Sequence, residues 1–207
     1  MKPLHLVDLD KTLVRVNLSF EFGKHLFKRG VFSFFQVVQF LIFHVAHLYF
    51  NLPIKTLHQR AFKALFKGMK RDFFAEMSKE WVAIYVPKVL NVSLYDYLLE
   101  KQKAAEKVVL CSSSPEFLVE AVADYLGIAC SIGTQYDLDK EGRMVGILRI
   151  IDGEQKAIEC ENEEESYVYT DSVHDLSALE ACNYPIGVNP DRELRKICLQ
   201  RKWKILD

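Results

Sequence analysis

The sequence predicts an α/β fold in which a parallel sheet is layered between helices and interrupted early by a long helical insertion. Short apolar runs at 4–9, 107–111, 147–151, 166–170 and 184–188 have the length of buried strands, and amphipathic stretches separate several of them. Strands alternating with helices imply parallel pairing. Between the first run and the second, from Leu18 to Glu106, helical periodicity prevails with little strand signal. The expected organisation is a three-layer α/β/α core from 1–17 and 107–207, with a helical cap inserted over 18–106. A chain of 207 residues, 50% hydrophobic, suits one core domain with a smaller insertion.

The first run, LHLVDLDKTLV at 4–14, leads straight into two carboxylates, Asp8 and Asp10. Side chains two apart on a strand share a face, so both are expected near the strand's carboxyl end, where open parallel sheets bind ligands. Two carboxylates so close repel unless a cation or shared proton compensates, which suits a Mg²⁺ site with a nucleophile and an acid/base partner. On the DxD pair alone, solvated aspartates at a strand-to-loop junction explain the residues as well; other positions must decide.

The insertion contains a stretch, 31–54, without a single charge, and residues 31–50 carry 15 apolar side chains. Its polar members, Ser33, Gln36, Gln39, His44 and His47, gather on one face at 100° per residue. A cap helix buried along its apolar face is the expected role, with an interfacial membrane helix as the alternative. His44 and His47 have metal-ligand spacing but no third ligand, and read as polar-face residues.

The second run ends VVLCSSSPEFL. Ser112 is expected at the mouth of the sheet, with backbone N–H groups of Ser113 or Ser114 forming a phosphate cradle and Pro115 opening the helix; the alternative, simple N-capping, explains Ser114 but leaves Ser112 unexplained. DLDK then recurs at 137–140, but there it runs into Lys140-Glu141-Gly142, a turn between two strand-like runs, and is read as a hairpin tip. It imitates the start of a calcium loop, yet the twelfth position, which needs a bidentate Glu, is Leu148. In IIDGEQKAIE, Lys156 follows a Gly-containing turn and would bring a cation to the same mouth. The acidic run ECENEEES reads as a solvated segment. The fourth run ends YVYTDSVHDLSAL: Asp171 closes a strand and Asp175 lies four residues on, while His174 reads as a solvated first-turn residue.

Composition narrows the class. With 27 basic and 28 acidic residues, no global basic field exists for nucleic acid. Five cysteines without a C-x-x-C pair suggest neither a disulfide framework nor a zinc knuckle and fit a reducing cytosol. MKPLHLVDLD lacks the layout of a secretory signal. The expected location is cytoplasmic, with peripheral contact at the inner membrane face through residues 31–50 as the alternative.

Taken together, DLDKT at 8–12, Ser112 after VVLC, Lys156, and TDSVHD with Asp171 and Asp175 resemble, in order, the four motifs of the haloacid dehalogenase-like hydrolase superfamily. SSSPEFL, the insertion after the first motif, and the tail 188–207 are similar to its phosphoserine-phosphatase-like branch. The resemblance implies a Rossmann-like core with Asp8 as nucleophile, Asp10 as general acid/base and Thr12 supporting the loop. It further implies phosphate bound by Thr12, Ser112, Ser113 and Lys156. Mg²⁺ would be held by Asp8, the Asp10 backbone carbonyl and Asp171, with Asp175 nearby as a ligand or positioner. The expected substrate is a small-molecule or lipid phosphomonoester. One departure bears on which: phosphoserine phosphatases read the substrate amine with a cap glutamate, and the nearest position here is Asn17, with Glu21 one turn later. A phosphotransferase, or a catalytically silent scaffold of the same fold, are the rival readings; no expected motif group is missing.

Overall fold

Strand β1 (Leu4–Val7) is buried along its whole length and sits at the centre of a seven-stranded sheet. The computed structural model describes residues 2–39, 41–42, 54–161 and 163–207. The sheet order is β4-β3-β2-β1-β5-β6-β7, built from β2 (Lys107–Pro115), β3 (Cys130–Leu138), β4 (Met144–Arg149), β5 (Ser166–Thr170), β6 (Tyr184–Val188) and β7 (Lys204–Leu206). All neighbours pair in parallel except β3 and β4. Those two are joined by the short DKEGR turn, too short for a parallel crossover, so the run near 147–151 becomes an antiparallel edge. The second DLDK is therefore in a hairpin: Asp139 Oδ1 accepts from the N–H groups of Glu141 and Arg143, and Gly142 adopts φ 74°.

Alternation along β1 splits the core into two layers. Leu4 and Leu6 join Val109, Cys111 and Val168 beneath α6 (Gly153–Glu161), α7 (Leu176–Ala181) and α8 (Arg192–Arg201). Val7 faces the other way, with Leu110 and Tyr169, into a larger cluster. That cluster takes in α5 (Glu116–Leu126) and helices of the insertion: α1 (Leu18–Lys28), α3 (Arg71–Val89) and α4 (Val92–Lys103). α1 buries Leu18, Phe22 and Leu26 at a four-residue spacing and is capped by Asn17, whose side chain accepts from Phe20 N. Leu94 and Leu98 of α4 pack into the same cluster, and Tyr95 Oη donates to the Leu126 carbonyl at 2.9 Å. Between α1 and α3 lie a helical segment at 34–39 and α2 (Ile54–Ala61), which runs into a wider helical turn at Phe62–Phe66.

Among the described residues, no helix is long and apolar enough to cross a membrane. His44 and His47 lie outside the described residues. Gln36 does not face outward as its place on the polar stripe predicts. It accepts from Ser33 N and Oγ at 2.9 Å and donates to the Ala64 carbonyl at 2.8 Å, while Phe34 and Phe35 are exposed.

Candidate active site

The parallel register places the chemistry-bearing residues at one end of the sheet. Val7 is level with Leu110 and with Tyr169, so Asp8 and Asp171 emerge just past the carboxyl ends of β1 and β5, with Ser112 near the same level in the carboxyl-terminal half of β2. β1 stops at Val7, however, and the chain curls tightly: Leu13 N donates to the Asp8 carbonyl at 3.3 Å, Val14 N to Leu9 at 3.0 Å, and Lys11 takes φ 57°. Strand alternation therefore does not govern the DxD pair as expected. Asp8 and Asp10 border one mouth but turn to different walls.

Asp8 faces Lys156. The ammonium donates to Asp8 Oδ1 and to Asp175 Oδ2, both at 2.7 Å, and Thr170 Oγ1 donates to the same Asp175 oxygen at 2.7 Å. Lys156 is 4% exposed, so this triad is dry. It depends on α6 starting hard against the 173–175 turn: a Cβ on Gly153 would lie 2.3 Å from the His174 carbonyl oxygen. Asp175 thus holds the lysine with its Oδ2, beyond the cation-ligand role expected for it.

Asp10 faces the insertion. Its Oδ1 accepts from Leu18 N at 2.5 Å, at the start of α1, and its Oδ2 accepts from Ser114 Oγ at 2.7 Å and Ser112 Oγ at 3.4 Å. Ser19 Oγ lies 2.6 Å from Ser114 Oγ; because the single Ser114 proton is committed to Asp10, Ser19 is the donor. Ser114 does not take the alternative role of capping α5: β2 extends to Pro115, which is itself the N-cap residue and makes no side-chain cap bond. The expected cradle is altered too: Ser114 N is engaged by Ser112 Oγ at 3.1 Å, and the Ser113 carbonyl accepts from Thr134 Oγ1 at 2.7 Å. Ser19 is absent from the sequence expectations altogether, and Ser114 enters them only for its backbone N–H and as a cap, not for a hydroxyl on Asp10. The SSS run is their one sequence signal, and which hydroxyl reaches Asp10 is set by the irregular β2–β3 register between Cys111 and Pro115.

Asp171 is buried and accepts a long bond from Thr12 Oγ1 at 3.4 Å. Thr12 is wholly buried and turned toward Asp171, as a loop support. Asp191 fastens this edge: its N donates to the Asp171 carbonyl at 2.7 Å, and its carboxylate accepts from Val173 N while capping α8. His174 is exposed, on a single helical turn.

The site holds more negative charge than its own cation balances. Burial raises the carboxyl of Asp8, against the opposing pull of Lys156; burial likewise raises Asp10, against its hydrogen bonds from Ser114 and Leu18 N. Asp171 is pushed up to about 6, chiefly by burial and against the Lys11 charge. Four clustered carboxylates against one buried ammonium call for protons or a hard dication. Among the described residues, no three His, Cys, Asp or Glu side chains gather closely enough to enclose a metal by themselves. Mg²⁺ does not require that, since it binds through one or two carboxylates and completes its shell with water and substrate phosphate. The donor set fits such an ion.

The sequence profile described as haloacid dehalogenase-like hydrolase matches residues 6–180, a range that includes Asp8, Asp10, Ser112, Lys156, Asp171 and Asp175. The chain belongs to the haloacid dehalogenase-like hydrolase family. Among relatives, it is 25% identical to a histidinol-phosphatase of Neisseria meningitidis, over 100% of this chain and 99% of that one. Its fold is similar to that of a protein with unknown function from Bordetella pertussis, at 22% identity and TM-score 0.87, covering 100% and 99% of the two chains. It is also similar to a phosphoserine phosphatase solved as a phospho-aspartyl intermediate analogue, at 15% identity and TM-score 0.65, covering 99% and 92%. Family members as a class use a Mg²⁺-assisted aspartyl-phosphate route.

Proposed function

We propose that this haloacid dehalogenase-like hydrolase is a phosphomonoesterase working through an aspartyl-phosphate on Asp8. The observation that carries the reading is the division of labour between the two aspartates: Asp8 is bonded to a buried ammonium, and Asp10 to a set of neutral donors. Lys156 holds Asp8 in one orientation and supplies positive charge where phosphoryl oxygens would sit. A carboxylate oxygen of Asp8 attacks phosphorus, the bond from phosphorus to the ester oxygen breaks, and Asp10 delivers its proton to that departing oxygen. Burial, which raises the Asp10 carboxyl, favours the protonated form this step needs. Asp10 then takes a proton from water; the water oxygen attacks phosphorus, the bond to Asp8 breaks, and inorganic phosphate leaves. Mg²⁺ bound by Asp8, Asp171 and the Asp10 carbonyl would neutralise charge on the transferred group.

Ser112, Ser113 and Thr12 are assigned to the phosphate pocket, with Thr12 acting through Asp171. The helices of residues 18–106 are proposed as the cap that selects the leaving group. Where that cap begins, Asn17 is committed to capping α1, and Glu21 pairs with Lys24 at 2.6 Å. Neither is kept for a substrate amine, which argues against phosphoserine itself and leaves other small phosphomonoesters as the substrate class. A phosphomonoester presented at a lipid surface is the second reading, favoured by the exposed Phe34 and Phe35.

A phosphate-release screen over sugar, amino-acid, nucleotide and lipid phosphates with Mg²⁺ tests the proposal. Turnover of at least one class by the wild type, and its loss by a factor of about 10³ or more in Asp8→Asn, is the expected result. Near wild-type rates in Asp8→Asn, or no release from any class, would overturn it.

A further inference from the structure

Residues 22–71 contain nine lysines and arginines and no aspartate or glutamate. With nine of the chain's 27 cations placed there, the remainder holds 18 against 28 carboxylates, so a chain of net charge -1 is strongly bipolar. The same stretch carries the most exposed aromatic residues. Phe34 is 64% and Phe35 82% exposed, and Ile42 is 60% exposed. Their orientation is fixed from behind: Gln36 binds the Ala64 carbonyl, and the buried Phe32 meets Phe66 edge-on at 6.1 Å.

Those contacts set the 34–39 helix beside the Phe62–Phe66 turn, which brings exposed Lys63 and Lys67 next to it, followed by Lys70. Several other exposed cations of the segment pair with carboxylates, as Lys24 does with Glu21, Arg29 with Glu80 and Lys55 with Asp152. Lys63, Lys67 and Lys70 make no ion pair among the described residues.

We propose that this face docks onto an anionic lipid bilayer, with Phe34 and Phe35 entering the headgroup boundary and Lys63, Lys67 and Lys70 lying against lipid phosphates. Aromatic side chains with an apolar body suit that depth, and lysines beside them add the attraction to anionic lipid that makes peripheral binding stable. Self-association through this face is disfavoured, because a two-fold contact would set cation against cation. The surface is independent of the reaction assigned above, since binding is read without turnover.

The test is co-sedimentation of the full chain with phosphatidylcholine vesicles, with and without phosphatidylglycerol. Binding is expected only to the anionic vesicles and should weaken as salt is raised. Lys63→Gln/Lys67→Gln/Lys70→Gln should lower the partition coefficient roughly a hundredfold, three surface lysines at about 1 kcal/mol each. Phe34→Ser/Phe35→Ser should lower it at least as far. These positions are exposed, so circular dichroism should stay that of the wild type; a variant that unfolds is replaced by the salt titration on the wild type. Failure of the wild type to bind anionic vesicles, equal binding to neutral ones, indifference to salt, or well-folded variants that bind unchanged would each overturn the proposal. So would sedimentation velocity showing the face covered in a dimer that ignores vesicles.

Discussion

Ser114 donates to Asp10 Oδ2 at 2.7 Å across 104 positions of sequence, and so ties the aspartate proposed as acid/base to the end of a neighbouring strand. With Leu18 N on the other oxygen and Ser19 behind Ser114, the start of α1 and the tip of β2 share one hydrogen-bonded corner.

Ser114→Ala should therefore reduce kcat with little change in KM. A hydrogen bond to a charged group contributes about 1.5–3 kcal/mol, which corresponds to roughly ten- to a hundredfold. Ser114→Thr, which keeps the hydroxyl, should recover most of the rate. Steady-state kinetics on any substrate found in the screen checks both; an equal loss in the threonine variant would mean that only packing is at stake.

Lys156→Met should both abolish turnover and destabilise the fold, because it leaves Asp8 and Asp175 buried beside one another without their shared ammonium. Breaking a buried ion pair costs about 3–5 kcal/mol. The loss should shrink toward acid pH, where the stranded carboxyls take up protons. Urea unfolding of both proteins at several pH values measures it, and a pH-independent difference would contradict the account.

His5 carries a stability signal unrelated to catalysis. It is buried, stacked on Tyr167 with ring centroids 4.6 Å apart, and bonded to Tyr169 Oη at 2.9 Å and Glu106 Oε2 at 2.5 Å. Burial lowers its pKa more than Glu106 raises it. The unfolded chain thus binds this proton more readily, and the stabilisation is full above about pH 6.5, the ordinary histidine value, and lost as pH falls through the lower folded value. The Tm advantage of the wild type over His5→Gln should shrink between about pH 7.5 and 5. An advantage that grows on acidification would reverse the sign.

Asp137→Asn/Asp139→Asn should leave turnover and Mg²⁺ dependence within about twofold, a free-energy change of roughly 0.4 kcal/mol. Asparagine retains the oxygen that accepts from Glu141 and Arg143 in the hairpin, so the turn should also survive. A loss comparable to that of Asp8→Asn would place this loop in the site.

The sequence by itself determined the layered α/β class, the long helical insertion and the hairpin fate of the second DLDK. It did so because periodicity and turn chemistry are local properties, legible over a few residues. It also placed Asp8, Lys156 and Asp171 near strand or helix ends, since the apolar runs of β1 and β5 stop where those strands stop, whereas β2 runs on past Ser112 to Pro115. Only the tertiary structure decided that β1 ends before its first aspartate and that Asp8 and Asp10 turn to opposite walls. Tertiary packing likewise decided that Ser114 serves Asp10 while Pro115 caps α5, and that Gln36 turns inward while Phe34 and Phe35 turn out. The roles of Ser114 and Gln36 depend on partners more than twenty residues away in the chain, and the curl after Val7 and the bond from Leu18 N to Asp10 on irregular turns; neither kind of hydrogen bond leaves a periodicity behind it.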